Sequence, residues 1–437
     1  MRIFSFWLEM FLTSWLQAIV KFNQFLNTSW ISMEVLRNLM NSNKVASVFN
    51  SDWEKDYEKT FAVGTTIQVK FPQQFTIRHG LGYNPQGINR ISTTISLDQP
   101  FGIDFQWDDY EAAVKAERSD EEIKNEYLEP AGIQLSQEID SLAAQFGKNN
   151  VSQITGALGT DPTSVVFMDD ARRKLLELAC PPDRNRMALI SSSMQTNSIN
   201  TPVTSLFHPA DEIDEAFKEG SLGKLKGFRV FEEQSLYSHT AGTWAGAVTV
   251  NGAGQSGTSL LITATAGDTF KQGDKFSILN VNRINPRTRR SPGPLVAKTF
   301  TITQDLTAVG GGADTIQFLP AIYGPNGADP SQYQNVDALP ASGAALTLWP
   351  GTPNPNGATG TVGLALTKYA FAIVGMRFYL PKAVEARSQA EDRRTGIPVR
   401  FVKDWNSVYS MQIHRFDTVV GFGNLYQDNA AVGLLGA

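Results

Sequence analysis

Cysteine is almost missing: Cys180 is the only one in 437 residues. An intrachain disulfide framework and a cysteine-built metal cluster are therefore excluded. Histidine is scarce too. His79, His208, His239 and His414 lie far apart, with no pair at the spacing that a helical metal site needs. Positive charge is not in excess either, since 38 Lys and Arg face 43 Asp and Glu for a net charge of −5. That balance argues against a chain that grips nucleic acid by neutralising phosphates, but not against a wall that merely surrounds it. A soluble protein made in a reducing cytoplasm fits these absences. A clean apolar run long enough to cross a bilayer is also absent. RIFSFWLEMFLTSWLQAIVKF, residues 2–22, is broken by Glu9 and followed by no small-x-small cleavage site. It reads as an amphipathic arm, or as an extension upstream of a natural start such as Met33, in preference to a leader or membrane anchor.

Catalytic patterns are equally thin. Asp108-Asp109 and Asp169-Asp170 are adjacent in sequence, so their carboxylates diverge on a strand or a helix instead of converging. Gly310-Gly311-Gly312 has no lysine and no following helix, which makes it a hairpin tip and not a phosphate loop. No serine sits in a nucleophile elbow. The expectation is a protein with no catalytic, cofactor-binding or metal-binding residues.

What is present is one long amphipathic helix. In SDEEIKNEYLEPAGIQLSQEIDSLAAQFG, residues 119–147, Ser119 and Glu122 form a capping box. Ile123, Tyr127, Ala131, Leu135, Ile139, Leu142 and Phe146 follow as a single apolar stripe. Gly147 supplies a left-handed stop. Pro130 and Gly132 interrupt the helix, but burying the stripe outweighs the roughly 3 kcal/mol that an interior Pro costs, so a kink is expected.

Before it, Ile31, Val35, Leu36, Leu39 and Met40 mark a shorter helix leading into an extended arm. Ile67, Val69 and Phe71, then Phe75 and Ile77, alternate across Pro72. After the polar stretch HGLGYNPQGIN the alternation returns at Ile91, Ile95 and Leu97 and again at Ile103, Phe105 and Trp107. Two strands around a long excursion make an extended hairpin over 63–105. A lone two-stranded ribbon is marginal in water, so something must cover it, either a helix of the same chain or another subunit.

Past residue 237 the composition changes. No Glu occurs between Glu233 and Glu385, and no Lys or Arg between Lys298 and Lys368. Residues 239–360 hold close to half of the 36 Gly and 21 Pro. Short β-rich runs at 247–250, 260–264, 275–281, 296–303, 315–318 and 345–348 alternate with turn formers, the pattern of a small antiparallel barrel or sandwich. It is inserted, because the α/β pattern resumes afterwards, with a helix or strand pair at 365–380 and strands at 399–402 and 408–414. Within it NPRTRRSPGP gathers Arg287, Arg289 and Arg290, flanked by Arg283 and Lys298. This is a solvated loop or an arm reaching acidic groups on a neighbouring molecule; without interleaved aromatics it is a poor nucleic-acid site.

The order of these elements resembles the major capsid (coat) proteins of tailed double-stranded DNA phages of the Hong Kong 97-type fold. The similarity is to the short-tailed-phage coat branch that carries an inserted β domain. MEVLRNLMNSNKVASVFNSDWEKDYEKTFAVGTTIQVKFPQQFTIRHG is similar to the family's N-terminal arm and extended loop, and residues 119–147 to its spine helix. GSLGKLKGFRVFEEQSL resembles the turn and strand before the insertion. TKYAFAIV and GIPVRFVKDWNSVYSMQIHRFDTVVGFGNLYQDNAAVGL resemble the closing strands. The resemblance implies an α+β Hong Kong 97-like capsid fold with an inserted antiparallel β domain. Its parts are an unmatched extension (1–26), an N-terminal arm (27–62), the extended loop (63–105) and a peripheral domain (106–160). An axial and peripheral α/β part (161–237), the insertion (238–360) and closing strands (361–437) complete it.

It further implies a subunit that closes hexamers and pentamers into an icosahedral shell around DNA, without sequence-specific binding and without a membrane. A scaffolding protein, a portal and synthesis in a host cytoplasm come with it. The candidate subunit-interface residues are Ile67, Val69, Phe71, Phe75, Ile77 and Arg78 of the ribbon, and Arg283, Arg287, Arg289 and Arg290 of the insertion. Rival classes are an exported adhesin or surface-layer protein, the wall of a related protein compartment, and a hydrolase.

Overall fold

The computed structural model describes residues 28–437 except 53–65, 79, 84, 89–90, 109–123, 181–185, 200–223, 292, 294, 313, 326–330, 393–394 and 409–410. The start of the long helix, with its capping box at Ser119 and Glu122, lies outside them, as do residues 1–26. The fold is α+β.

Helix α1 (Thr28–Ser42) buries Val35, Leu36 and Leu39, the stripe its spacing calls for. It crosses helix α2 (Glu129–Asn150) at Gly132, where a Cβ would lie 2.8 Å from both the Val35 carbonyl oxygen and the Asn38 Cβ. The chain after α1 stays docked: Val45, Ala46, Val48 and Phe49 are buried in the main core, so residues 28–50 are body and not a free arm. Asp140 of α2 fixes them by accepting from the Lys44 and Ala46 amides at 2.8 and 2.9 Å. Burial pushes this carboxyl up to about 6 against the pull of those amides.

At Pro130 a π-helical turn, Lys124–Leu128, runs straight into α2, so the helical stretch is continuous from Lys124 to Asn150 and the irregular turn takes up the proline. One expectation for α2 needs correction. Gly147 is not the stop. It lies inside the helix because a Cβ there would be 2.5 Å from Leu364 Cδ1. The helix runs on to Asn150.

Strand β1 (Thr66–Lys70) pairs with the first residues of β2 (Ser92–Asp108). The two patterns at 91–97 and 103–107 are one strand of 17 residues, with a bulge between Leu97 and Gln99 next to Pro100. β2 in turn pairs with β20 (Met411–Asn424) from Ser96 to Asp108. The base of the hairpin therefore has its cover at home, and the expected free ribbon shrinks to residues 71–91. β17 (Phe371–Gly375), β18 (Ala386–Glu391) and β19 (Pro398–Asn406) complete this sheet. Gly102 faces Asp417 across the ladder. The absent side chain leaves room for Asp417 to take Arg400 and Arg415 together.

A second, mixed sheet is ordered β3 (Ile154–Thr155), β21 (Ala431–Leu435), β16 (Thr359–Leu366), β4 (Arg186–Ile190), β6 (Phe228–Glu232), β5 (Lys224–Leu225). Helix α3 (Val166–Glu177) packs beside β21, and α4 (Ser192–Ile199) follows β4. β7 (Ser238–Thr240) pairs with the start of β16, so the chain leaves this sheet and returns to it side by side.

Between those points lies an antiparallel sheet of β8 (Thr249–Val250), β9 (Gly257–Thr263), β11 (Lys275–Asn282), β12 (Ala297–Ile302), β14 (Asp314–Ile322) and β15 (Leu346–Leu348). The spatial order is β15-β11-β12-β14-β9-β8, with the short pair β10 (Thr269–Phe270) and β13 (Leu306–Thr307) beside it. Val250 N donates to Ala344 O and Leu346 N to Val248 O, both at 2.9 Å, which closes the sheet into a barrel. β14 alternates buried and less buried residues along its whole length, and Phe276, Phe300 and Phe318 pack inside with centroids 5.3–5.8 Å apart.

Buried basic side chains dock the barrel on the core. The amine of fully buried Lys275 donates to Lys148 O at 2.9 Å, and Thr301 Oγ1 donates to Val151 O at 2.6 Å. The C-terminal carbonyls of α2 are thus capped by the barrel. Lys298 meets Asp428 of α5 (Gln427–Ala430) at 2.7 Å, and Arg283 meets Glu177 at the end of α3.

Two predictions follow from this packing. Gly132→Ala gains about 1 kcal/mol of helix preference but overpacks a backbone contact, costing about 1–3 kcal/mol. Denaturant unfolding should show a net loss of roughly 1–2 kcal/mol; a gain would mean that α1 yields. Asp428→Ala strands the buried Lys298 ammonium and should cost about 3–5 kcal/mol, whereas Asp52→Ala at the exposed Lys368 pair should cost under about 1. Equal effects would contradict the docking role.

Candidate assembly surfaces

Beyond the Phe71 N–Ile91 O bond at 3.0 Å, the two legs of the extended loop have no β ladder among the described residues. Side chains replace it. Gln86 pairs with the Thr76 backbone through both amide atoms, at 2.7 and 2.6 Å. Arg78 donates to Gly80 O and Gly82 O at 2.7 and 2.6 Å and closes the tip. Nothing in this stitching covers the apolar side chains. Ile77 is 85% exposed, Leu81 100% and Tyr83 91%, with Phe75 and Ile88 also exposed. Contiguous apolar exposure of this kind marks an interaction site.

The ribbon candidates therefore divide. Phe75 and Ile77 face outward. Val69 does not: it is 2% exposed, packed in its own chain with Ile95, Leu97, Val374 and Leu425, and presents nothing to a neighbour. Phe71 is half-buried on Tyr426, with centroids 5.1 Å apart. Arg78 shapes the loop. The side chain of Ile67 lies outside the described residues. Leu81, Tyr83 and Ile88 were hidden by the Gly, Asn and Pro around them; their signal is apolar residues in a turn-rich stretch with no partner strand.

The arginines divide in the same way. Arg283 is 3% exposed and committed to Glu177, so it is an internal anchor and not part of a contact arm. Arg289 is half-buried, has φ of +54° and donates to Gln332 O at 3.3 Å. Arg287 and Arg290 are exposed. With two arginines tied inward, the loop holds the other two out towards solvent.

Trp405 and Val408 are also uncovered, at the far end of the long sheet. Behind it His414 stacks on Phe105 with parallel rings 4.9 Å apart.

A cleft of about 210 Å³ lies where the loop root, the barrel and the C-terminal core meet, lined by Phe71, Pro286, Tyr333, Tyr426 and Asp428 among others. It offers aromatic walls, and the two charged groups on them, Lys298 and Asp428, are paired with each other at 2.7 Å. The buried His–Asp pair of His239 and Asp274, at 2.9 Å, is structural. Asp274 also accepts from Gly242 N, Lys271 N and Trp349 Nε1, which occupies its oxygens and ties the barrel stem together. Among the described residues no three His, Cys, Asp or Glu are grouped to hold a metal ion, and no helix is long and apolar enough to cross a membrane. The exposed apolar tip and the outward arginines are surfaces suited to contact with another molecule.

The family described as P22 coat protein, gene protein 5, matches residues 104–436. No curated protein matches the chain. Among solved structures, a chain of Mycobacterium phage Che8 is similar at 13% identity and a TM-score of 0.45, covering 90% of this chain and 92% of that one. The capsid of Ralstonia phage GP4 is similar at 6% identity and TM-score 0.42 over 85% and 83%. The acid-stable capsid of Helicobacter pylori bacteriophage KHP30 gives 12%, 0.40, 84% and 83%.

The pH response of the long sheet is a direct consequence of this geometry. Burial, and then the Lys403 ammonium, push the His414 pKa from 6.5 down to about 4. The unfolded chain takes up this proton near pH 6.5, while the folded chain resists it until about 4. The contribution to stability is therefore complete above 6.5 and is lost as pH falls through 4, by at most roughly 3 kcal/mol. His414→Phe, which keeps the stack, should flatten the pH dependence of unfolding in that window; an unchanged slope would contradict the assignment.

Proposed function

The chain belongs to the P22 coat protein family and is a phage major capsid protein, a structural subunit of a homo-oligomeric shell; on that premise we propose that the extended loop, residues 71–91, is the limb by which each subunit holds its neighbour. The carrying observation is the exposed apolar tip at Phe75, Ile77, Leu81, Tyr83 and Ile88. Covering each such side chain contributes about 1.5–3 kcal/mol, repeated at every subunit. In this proposal the tip seats on a different surface of the neighbour, a head-to-tail contact, which generates a ring where the rotation closes. Hexamers and pentamers in an icosahedral wall are the rings this reading assigns.

Arg287 and Arg290 supply a second contact, from the barrel of one subunit to acidic groups of a neighbouring capsomer. This takes up the contact-arm reading of the arginine loop with the two inward-tied members removed. Assembly with a scaffolding protein and a portal, in the host cytoplasm, belongs to the same proposal. The net charge of −5 suits a wall that encloses DNA without binding it by charge.

The test is expression of the full chain with sedimentation and negative-stain microscopy. Leu81→Ser with Tyr83→Ser should lower particle yield at least tenfold and leave the melting temperature of the free subunit within about 2 °C, since surface changes away from packed features cost little. Arg287→Glu with Arg290→Glu should lower particle stability in the same assay. Particle yields equal to the parent in both variants would remove these surfaces from the shell contacts.

A further inference from the structure

Gln332 sits at a meeting of three segments that sequence places far apart. It lies in the turn Ser331–Tyr333 of the inserted barrel and is 5% exposed. Its amide oxygen accepts from Gln73 Nε2 at 3.0 Å, on the outgoing leg of the extended loop. Its amide nitrogen donates to Gly87 O at 2.8 Å, on the returning leg. Its backbone oxygen accepts from Arg289 of the arginine loop. One side chain thus grips both legs of the limb at its root.

The mount is firm. Asn335 holds the turn to the end of β14, donating to Ala321 O at 2.7 Å and accepting from Tyr323 N at 3.0 Å, and Val336 bridges to Arg283. Arg283 is anchored to Glu177. Packing, by contrast, leaves the loop room to swing, because the 210 Å³ cleft lies beside the clamp with Phe71 and Tyr333 on its walls. Past the Phe71–Tyr426 contact at the root, hydrogen bonds hold the loop at its angle.

We infer that the inserted barrel sets the direction of the extended loop through Gln332, so that any displacement of the barrel is passed to the limb that holds the neighbouring subunit. The inference rests on the shell reading only for its consequence. The barrel then governs subunit contacts it does not itself make, and the arginine loop and the limb are coupled because both bond the same residue. Breaking the clamp frees the limb without unfolding the body.

The test uses the unassembled full-length chain, so it stands whether or not the wild type forms shells. Spin labels are placed on cysteines at the exposed positions Tyr83 and Val309, in a Cys180→Ala background, and their separation is read by pulsed dipolar spectroscopy. Gln332→Ala should broaden the distance distribution at least twofold relative to the parent. Gln73→Ala, which removes the same bond from the half-buried loop side, should do so as well and covers the case in which Gln332→Ala folds poorly. Gln332→Glu keeps the acceptor for Gln73 and loses the donor to Gly87, so its width should lie between. Distributions of unchanged mean and width in both alanine variants overturn the inference, as does a lower melting temperature with no broadening.

Discussion

Apolar side chains at Phe75, Ile77, Leu81, Tyr83 and Ile88 stand in solvent, and the rest of the molecule is arranged around holding them there. The limb that carries them leaves the body from β1 and returns into β2, and β2 is fixed by a ladder to β20 that runs from Ser96 to Asp108. A support of that length does not bend easily. The exposed tip carries a hydrophobic cost in the isolated subunit, and the proposed contact between subunits would remove it.

The barrel is joined to this body in a way that area alone does not explain. Lys275, Lys298 and Arg283 reach out of the barrel and end, respectively, on the C-terminal carbonyls of α2, on Asp428 of α5 and on Glu177 at the end of α3. Burial drives the Lys275 pKa well below its usual value, and its amine rests on the neutral acceptors Lys148 O and Thr301 Oγ1. Lys298 and Arg283 are each paired with a carboxylate, and a mismatched seating would leave those charges unpartnered, so the pairs favour one placement of the barrel. Placement matters here, since Gln332 of the barrel also grips the limb.

Much of this was legible in the sequence, and the misses have one cause. Short β-rich runs at 275–281 and 315–318, set between turn formers, marked barrel strands, and β14 has the one buried face such a strand calls for. The closure of the barrel was not legible, since it depends on Val248 and Val250 bonding residues nearly a hundred positions away. The stripe of α2 was visible in Leu135 and Ile139, but Gly147 was misread as a stop because the reason for it is Leu364, on another element. Arg283 looked like its neighbours in the arginine loop until Glu177 claimed it. Val69 alternated like Phe75 and Ile77, yet the ladder to β2 ends near Phe71, and only past that point do the side chains lose their cover. Local pattern reported local preference; long-range partners decided which residues of a pattern stay available.

The most direct measurement of the central claim is hydrogen–deuterium exchange and side-chain footprinting of residues 75–88, in the free subunit and in assembled particles. The account predicts rapid labelling of Ile77, Leu81 and Tyr83 in the free subunit and strong protection in the particle, with β2 and β20 protected in both. Equal labelling of the tip in the two states would contradict it.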